Sequence, residues 1–266
     1  MKPVDVAAAM VDTGRHKLGL SIGNLFVRGA LAGSTLGAAT SLAFTGALQT
    51  GVPLVGALIF PVGLCIIILL GLDLVTGSFG LLPVPIIENE GDARTMLTNW
   101  AAVFLGNLVG SMLYGGLLAI ALTNFGATAP TGVAAQIIAV AQAKTTGYEA
   151  LGFAGMVTVF VKAILCNWMV CLAIVVAMTS ASTVGKIAAA WMPMLIFFGQ
   201  GFEHSVVNMF VIPTGMLLGA KVTVAEWWLW NQIPVTLGNL FGGAVFTGLA
   251  LYITHRPRPG SAPVPF

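Results

Sequence analysis

The sequence predicts an all-α integral membrane protein of six transmembrane helices, and three observations predict it. Charge is scarce, four apolar runs have spanning length, and two longer apolar runs carry acid in their middle. Of 266 residues, 58% are hydrophobic and 8% charged, against about 25% charged in soluble proteins. Most of the chain therefore belongs in hydrocarbon. A net charge of +2 gives no electrostatic footprint for a nucleic acid. The opening Met-Lys-Pro-Val-Asp lacks the charged start, apolar core and cleavage site of a signal peptide. Cys65, Cys166 and Cys171 lie in apolar runs with no CxxC and no neighbouring histidine, and read as reduced thiols rather than metal ligands.

Residues 1–28 form a cytoplasmic or interfacial segment, with Lys2, Asp5, Asp12, Arg15, His16 and Lys17 around the apolar Val6 to Met10. Residues 29–254 form the membrane domain. Its runs 29–50, 95–124, 151–181 and 227–254 each meet the requirement of about 20 apolar residues for one crossing. The runs 52–87 and 185–220 are too long for one straight helix and too short for two with a loop. Asp73 interrupts the first; Glu203 and His204 interrupt the second. Helices broken at membrane depth account for both, because unwound backbone is tolerated there only inside protein or along a wet cavity. The second and fifth spans are therefore expected to be discontinuous. Glycines in segments such as Gly29-Ala30-Leu31-Ala32-Gly33 allow close helix contact in lipid. Residues 255–266 are a polar, proline-rich tail expected to be loose.

Orientation follows from the basic residues. With both termini in the cytoplasm, Lys2, Arg15, Lys17, Arg28, Arg94, Lys186, Arg256 and Arg258 fall inside, and Lys144, Lys162 and Lys221 outside. A multi-pass protein of the inner, cytoplasmic membrane is expected.

The two halves resemble each other at nearly one offset. Val27-Arg28-Gly29-Ala30-Leu31 matches Val161-Lys162-Ala163-Ile164-Leu165, Gly106-Asn107-Leu108-Val109-Gly110 matches Gly238-Asn239-Leu240-Phe241-Gly242, and the break at Asp73–Thr76 matches that at Glu203–His204. Three spans per copy make the second copy insert upside down, which gives an inverted 3+3 repeat with its site near the bilayer midplane.

Of three histidines, His204 alone lies within a span. An ionisable group at that depth is costly and marks a site, and imidazole both donates hydrogen bonds and exchanges protons near neutrality. Gly201-Phe202-Glu203-His204-Ser205, followed by Val206-Val207-Asn208-Met209-Phe210, resembles the signature of the formate/nitrite transporter family. The resemblance extends to Lys162 through Ala173, to Asp73-Leu74-Val75-Thr76 and to Ile233 through Asn239, and is nearest the branch named for formate carriage. It implies an aquaporin-like protomer, a homopentamer with one pore per protomer, no enzymatic activity and no cofactor. It also implies a pore centre at His204, Thr76 and Asn167, with apolar constrictions at Phe60, Leu64, Leu74, Val170 and Phe197. Glu203 and Asn208, and with them Asp73, are read as bracing the broken backbone. Lys144 stands farther upstream than the family's vestibule cation, so Lys162 is the candidate for that role. Val75 stands where some relatives carry an aromatic, which implies a wider inner gate.

A bare anion is expensive in an apolar slit. The expected function is therefore passage of formate between basic mouths, bonded to Thr76 and His204, as the anion paired with imidazolium or as formic acid, with protons and the lipid bilayer as its other partners. Nitrite, hydrosulfide, acetate and lactate are chemically close alternatives. A neutral-solute channel would carry an arginine filter, and no arginine occurs between Arg94 and Arg256. A haem-bearing membrane subunit would need a second intramembrane histidine.

Overall fold

The computed structural model describes residues 2–255, which form helices and no strand. Helix α1 (Pro3–Leu18) starts at a proline, bonds Lys2 N–H to Asp5, and carries Arg15, His16 and Lys17 in its last turn, where cations suit the helix dipole. Ser21 caps α2 (Ile22–Thr50) through the Asn24 amide, and Gly51, at φ +68°, ends it. The long helix thus starts inside the stretch assigned above to residues 1–28. The Ser21 cap is the local signal that sets this earlier start.

Helix α3 (Pro53–Leu69) bends at Phe60–Pro61 and is followed, after a break, by α4 (Val75–Ile87). Asp92 caps α5 (Ala93–Thr123). Helix α6 (Val133–Ala143) and the single turn Thr146–Glu149 lead into α7 (Gly152–Met178). Helix α8 (Thr183–Gly199), capped by Ser182, is followed by a second break and α9 (Ser205–Leu217). A Thr223–Glu226 capping box opens α10 (Val224–His255), which contains π-helical turns at Trp228–Gln232 and Gly242–Leu249. Each break opens on a left-handed glycine, Gly71 at φ +64° and Gly201 at φ +65°, a conformation open to Gly at no steric cost. Apart from His255, the expected tail 255–266 lies outside the described residues.

Among the described residues four helices, α2, α5, α7 and α10, are long and apolar enough to cross a membrane. The pairs α3/α4 and α8/α9 are the two interrupted segments. Polarity is inverted relative to a soluble fold. Thr40, Thr76, Asn107, Asn167, Asn208, Asn231 and Asn239 are fully buried, while Leu105, Leu113 and Leu117 of α5 are more than half exposed. In hydrocarbon there is no drive to hide leucine, so helices associate through close packing and internal hydrogen bonds.

Glycine supplies the closeness. The Gly29 and Gly106 backbones meet where α2 crosses α5, and a Cβ added at Gly110 would overlap the Ala30 carbonyl. The α7–α10 crossing is built alike: a Cβ at Gly238 would stand 2.7 Å from the Phe160 carbonyl, and one at Gly242 would overlap that of Ile164.

Gly116, also on α5, has nothing within 4 Å of an added Cβ. Gly110→Ala is therefore expected to cost about 1–3 kcal/mol through overpacking and to lower the melting temperature in detergent, whereas Gly116→Ala leaves it unchanged or raises it. Equal melting of the two variants would refute this account of the crossing.

Candidate functional site

Unwinding a helix at each break frees backbone groups that have no water to turn to. One asparagine serves each break. Asn107 of α5 accepts the Val75 N–H at 2.9 Å and donates Nδ2–H to the carbonyls of Asp73 and Gly29, both at 2.9 Å. Asn239 of α10 accepts the Ser205 N–H at 2.9 Å and donates to Glu203 O at 2.9 Å and Ala163 O at 2.8 Å. Both asparagines are fully buried. The two triads use the segments that match between the halves of the sequence, and they make Asp73 and Glu203 equivalent positions of the two breaks.

The breaks bring His204 and Thr76 together. Thr76 Oγ1 lies 3.2 Å from His204 Nε2, with both residues buried. His204 is also the N-cap of α9: its Nδ1 accepts the Val207 amide at 3.2 Å. A ring nitrogen that accepts a backbone N–H carries no hydrogen, so the neutral ring holds its hydrogen on Nε2, facing Thr76. The Thr76 hydroxyl accepts that bond and keeps its own hydrogen free. Asn167 donates Nδ2–H to Thr76 O at 3.0 Å and to Asn239 O at 2.6 Å, and its buried Oδ1 has no protein partner.

Of the apolar residues singled out in the sequence, Phe197 is in contact with this pair. Phe197 stacks on the His204 ring at 5.7 Å between centroids and meets Phe60 edge-on at 5.5 Å. Phe198, which the sequence did not single out, stacks on Phe60 at 4.0 Å. Leu64, Leu74 and Val170 are buried in the same core. Leu64 and Leu74, with Gly77, also line a cavity of about 270 Å³, together with His16, Lys17, Arg28 and Lys186.

Each break also carries a buried carboxylate. Glu203 is held by Lys144 at 2.7 Å, the Tyr148 hydroxyl at 2.8 Å, Asn208 at 2.8 Å and Asn231 at 3.4 Å. Asn208 also donates to Asn231 Oδ1, and Asn231 to the Lys144 carbonyl. Asp73 pairs with Lys17 of α1, and its second oxygen lies 4.0 Å from Arg28. Lys144, which sequence spacing disfavours relative to Lys162, is the cation that reaches Glu203. Lys162 contributes its carbonyl, which accepts the Glu203 amide at 3.4 Å, and its ammonium lies 5.9 Å over the Tyr148 ring. Burial raises the affinity of the Tyr148 hydroxyl for its proton, as does the Glu203 charge beside it, which keeps it a donor. Sequence reasoning misses Tyr148, Asn231 and the Lys17–Asp73 pair. The π turn that presents Asn231 leaves no mark in apolar periodicity. No group of three or more His, Cys, Asp or Glu side chains suited to a metal occurs among the described residues.

A profile described as "Formate/nitrite transporter" matches residues 4–253. A protein of Methanothermobacter thermautotrophicus named "Probable formate transporter" is 35% identical over 95% of this chain and 96% of its own. A solved "FNT family ion channel" superposes with a TM-score of 0.81 at 30% identity, over 94% of this chain and 98% of that one. A "Pentameric formate channel with formate bound" shares the fold, with a TM-score of 0.70 at 24% identity over 88% and 97%.

Lys144→Met strands a carboxylate that is 2% exposed, and breaking a buried pair from one side costs about 3–5 kcal/mol. Thermal melting in detergent is expected to drop sharply for Lys144→Met and to recover largely in the Lys144→Met/Glu203→Gln double variant. A single variant that melts like the parent would show that the pair contributes nothing to stability.

Proposed function

This chain belongs to the formate/nitrite transporter family, whose relatives are transporters and channels rather than enzymes, and on that premise we propose that it is a proton-linked formate channel with His204 at its pore centre. The observation that carries this reading is the buried contact between Thr76 Oγ1 and His204 Nε2, 3.2 Å apart where the two helix breaks meet. One hydrogen, Thr76 O–H, is free for a small ligand there, and the ligand can compete with Thr76 Oγ1 for a second, His204 Nε2–H. A monocarboxylate offers two oxygens to match. The unpartnered Asn167 Oδ1 adds an acceptor, which suits a carboxylic acid that carries its own hydrogen.

Formate gathers at the basic cavity lined by His16, Lys17, Arg28 and Lys186, takes a proton from water, and passes the slit of Leu64, Leu74, Val170, Phe60 and Phe197 as formic acid. Neutralisation removes the cost of an uncompensated charge in a dry ring. On the far side the acid returns its proton to water, so each formate moves with one proton. The buried carboxylates do not oppose this, because Glu203 and Asp73 each face a cation. Asn208, Glu203, Asp73 and the Lys162 carbonyl act as braces for the broken helices, and Asn167 holds the Thr76 segment.

The remaining architecture belongs to the same reading. Six spans, with α3/α4 and α8/α9 as the interrupted second and fifth, form an inverted repeat; the paired asparagine triads and paired glycines support it. Both termini lie in the cytoplasm of a cell whose inner membrane holds the protein. Five protomers assemble with one pore each, a reading supported by the shared fold of the pentameric formate channel. The domain limits follow: residues 1–28 on the cytoplasmic side, 29–254 in the membrane and 255–266 as the tail.

His204→Asn keeps an oxygen that caps α9 but withdraws the donor from Thr76. Hydrogen bonds between neutral groups are worth about 0.5–1.5 kcal/mol, so formate uptake into proteoliposomes is expected to fall about two- to tenfold, and its advantage at about pH 5.5 over about pH 7.5 to flatten. Unchanged uptake with an unchanged pH profile removes the histidine from the mechanism. Nitrite, hydrosulfide or acetate outrunning formate in the same vesicles would reassign the substrate.

A further inference from the structure

Cys171 has no part in the mechanism above, yet its thiol is aimed at the same segment. The side chain is 2% exposed and free of any disulfide, and Sγ–H donates to the Thr76 carbonyl at 3.2 Å. One turn earlier on α7, Asn167 donates to that carbonyl at 3.0 Å. Two donors from one helix face thus converge on one backbone oxygen of α4, in the residue whose hydroxyl meets His204. The surroundings leave room for both. A Cβ at Gly80 of α4 would lie 2.7 Å from the sulfur. One at Gly243 of α10 would lie 2.9 Å from the sulfur and 2.5 Å from Asn167 Nδ2. Side chains on either glycine would push the α7 pair off the carbonyl.

We infer that Cys171 is a positioning residue for transport: with Asn167 it sets the first turn of α4 against α7, and so holds Thr76 Oγ1 opposite His204 Nε2. The inference rests on the proposed role of Thr76 and His204 at the pore centre. A thiol suits the task, because its long C–S bonds fill the space that the two glycines leave while its weak S–H still donates. Plain packing explains the burial of the sulfur but not its alignment with a carbonyl that already has a side-chain donor one turn away.

Cys171→Val keeps much of the volume and removes the donor; Cys171→Ser keeps a donor. Both are made alone and with Thr76→Ala, and formate uptake per assembled protein is measured in proteoliposomes at about pH 5.5 and 7.5. A weak donor corresponds to about a two- to fivefold effect, so Cys171→Val is expected to slow uptake by that factor and to change the ratio between the two pH values. Cys171→Ser is expected to stay within about twofold of the parent. In the Thr76→Ala background the valine substitution should have no further effect. The inference is overturned if Cys171→Val retains parental flux and pH ratio, if Cys171→Ser is as impaired as Cys171→Val, or if valine slows uptake equally in both backgrounds, which is the mark of packing alone. If Cys171→Val does not assemble, Cys171→Ala carries the same expectations. Thr76→Ala with parental flux and pH ratio would instead sink the pore-centre reading, and this inference with it.

Discussion

The constraint on which the structure depends is that a helix cannot be interrupted inside hydrocarbon without giving its freed N–H and C=O groups new partners. Two buried asparagines meet it. Asn107 and Asn239 each bind the carbonyl just before a helix start, the amide just inside it and the carbonyl of a neighbouring long helix. Each therefore ties a break to two spanning helices at once. An amide side chain has both donors and an acceptor in one plane, which aspartate, threonine and histidine lack. The glycine crossings bring the helices close enough for these short side chains to reach.

With both breaks fixed, polar chemistry becomes tolerable at depth, and its two ends differ. The Glu203 carboxylate has four donors, from the C-cap of α6, the turn before α7, α9 and α10. Asp73 has Lys17, with Arg28 at the edge of contact and one oxygen otherwise unpartnered. The Glu203 side is thus cross-linked into several helices. The Asp73 side leans on the short first helix.

Much of this is legible in the chain. Four apolar runs map onto α2, α5, α7 and α10 because length and apolarity are local properties. Asp73 and Glu203 mark the breaks because carboxylates are costly in lipid. The signature around His204, with Asp73 through Thr76, points to a pair that does lie together. What escapes depends on how distant segments fold over one another. Spacing along the chain disfavours Lys144, yet the turn Thr146–Glu149 folds α6 back toward Glu203. Lys17 looks like one more cation of an interfacial helix, and only the docking of α1 makes it a partner of Asp73. Asn231 is one polar residue among tryptophans, and a π turn rather than a sequence pattern aims it inward.

The histidine belongs to the backbone scaffold as much as to the site. Turning its ring over would set a carbon against the Val207 amide and strand that N–H where no water can reach it. Rotation is therefore closed to this imidazole, which cannot swing between two sides of a barrier to carry a proton across. Any traffic through it must come and go on its single outward edge, and loosening that arrangement means fraying the start of α9 itself.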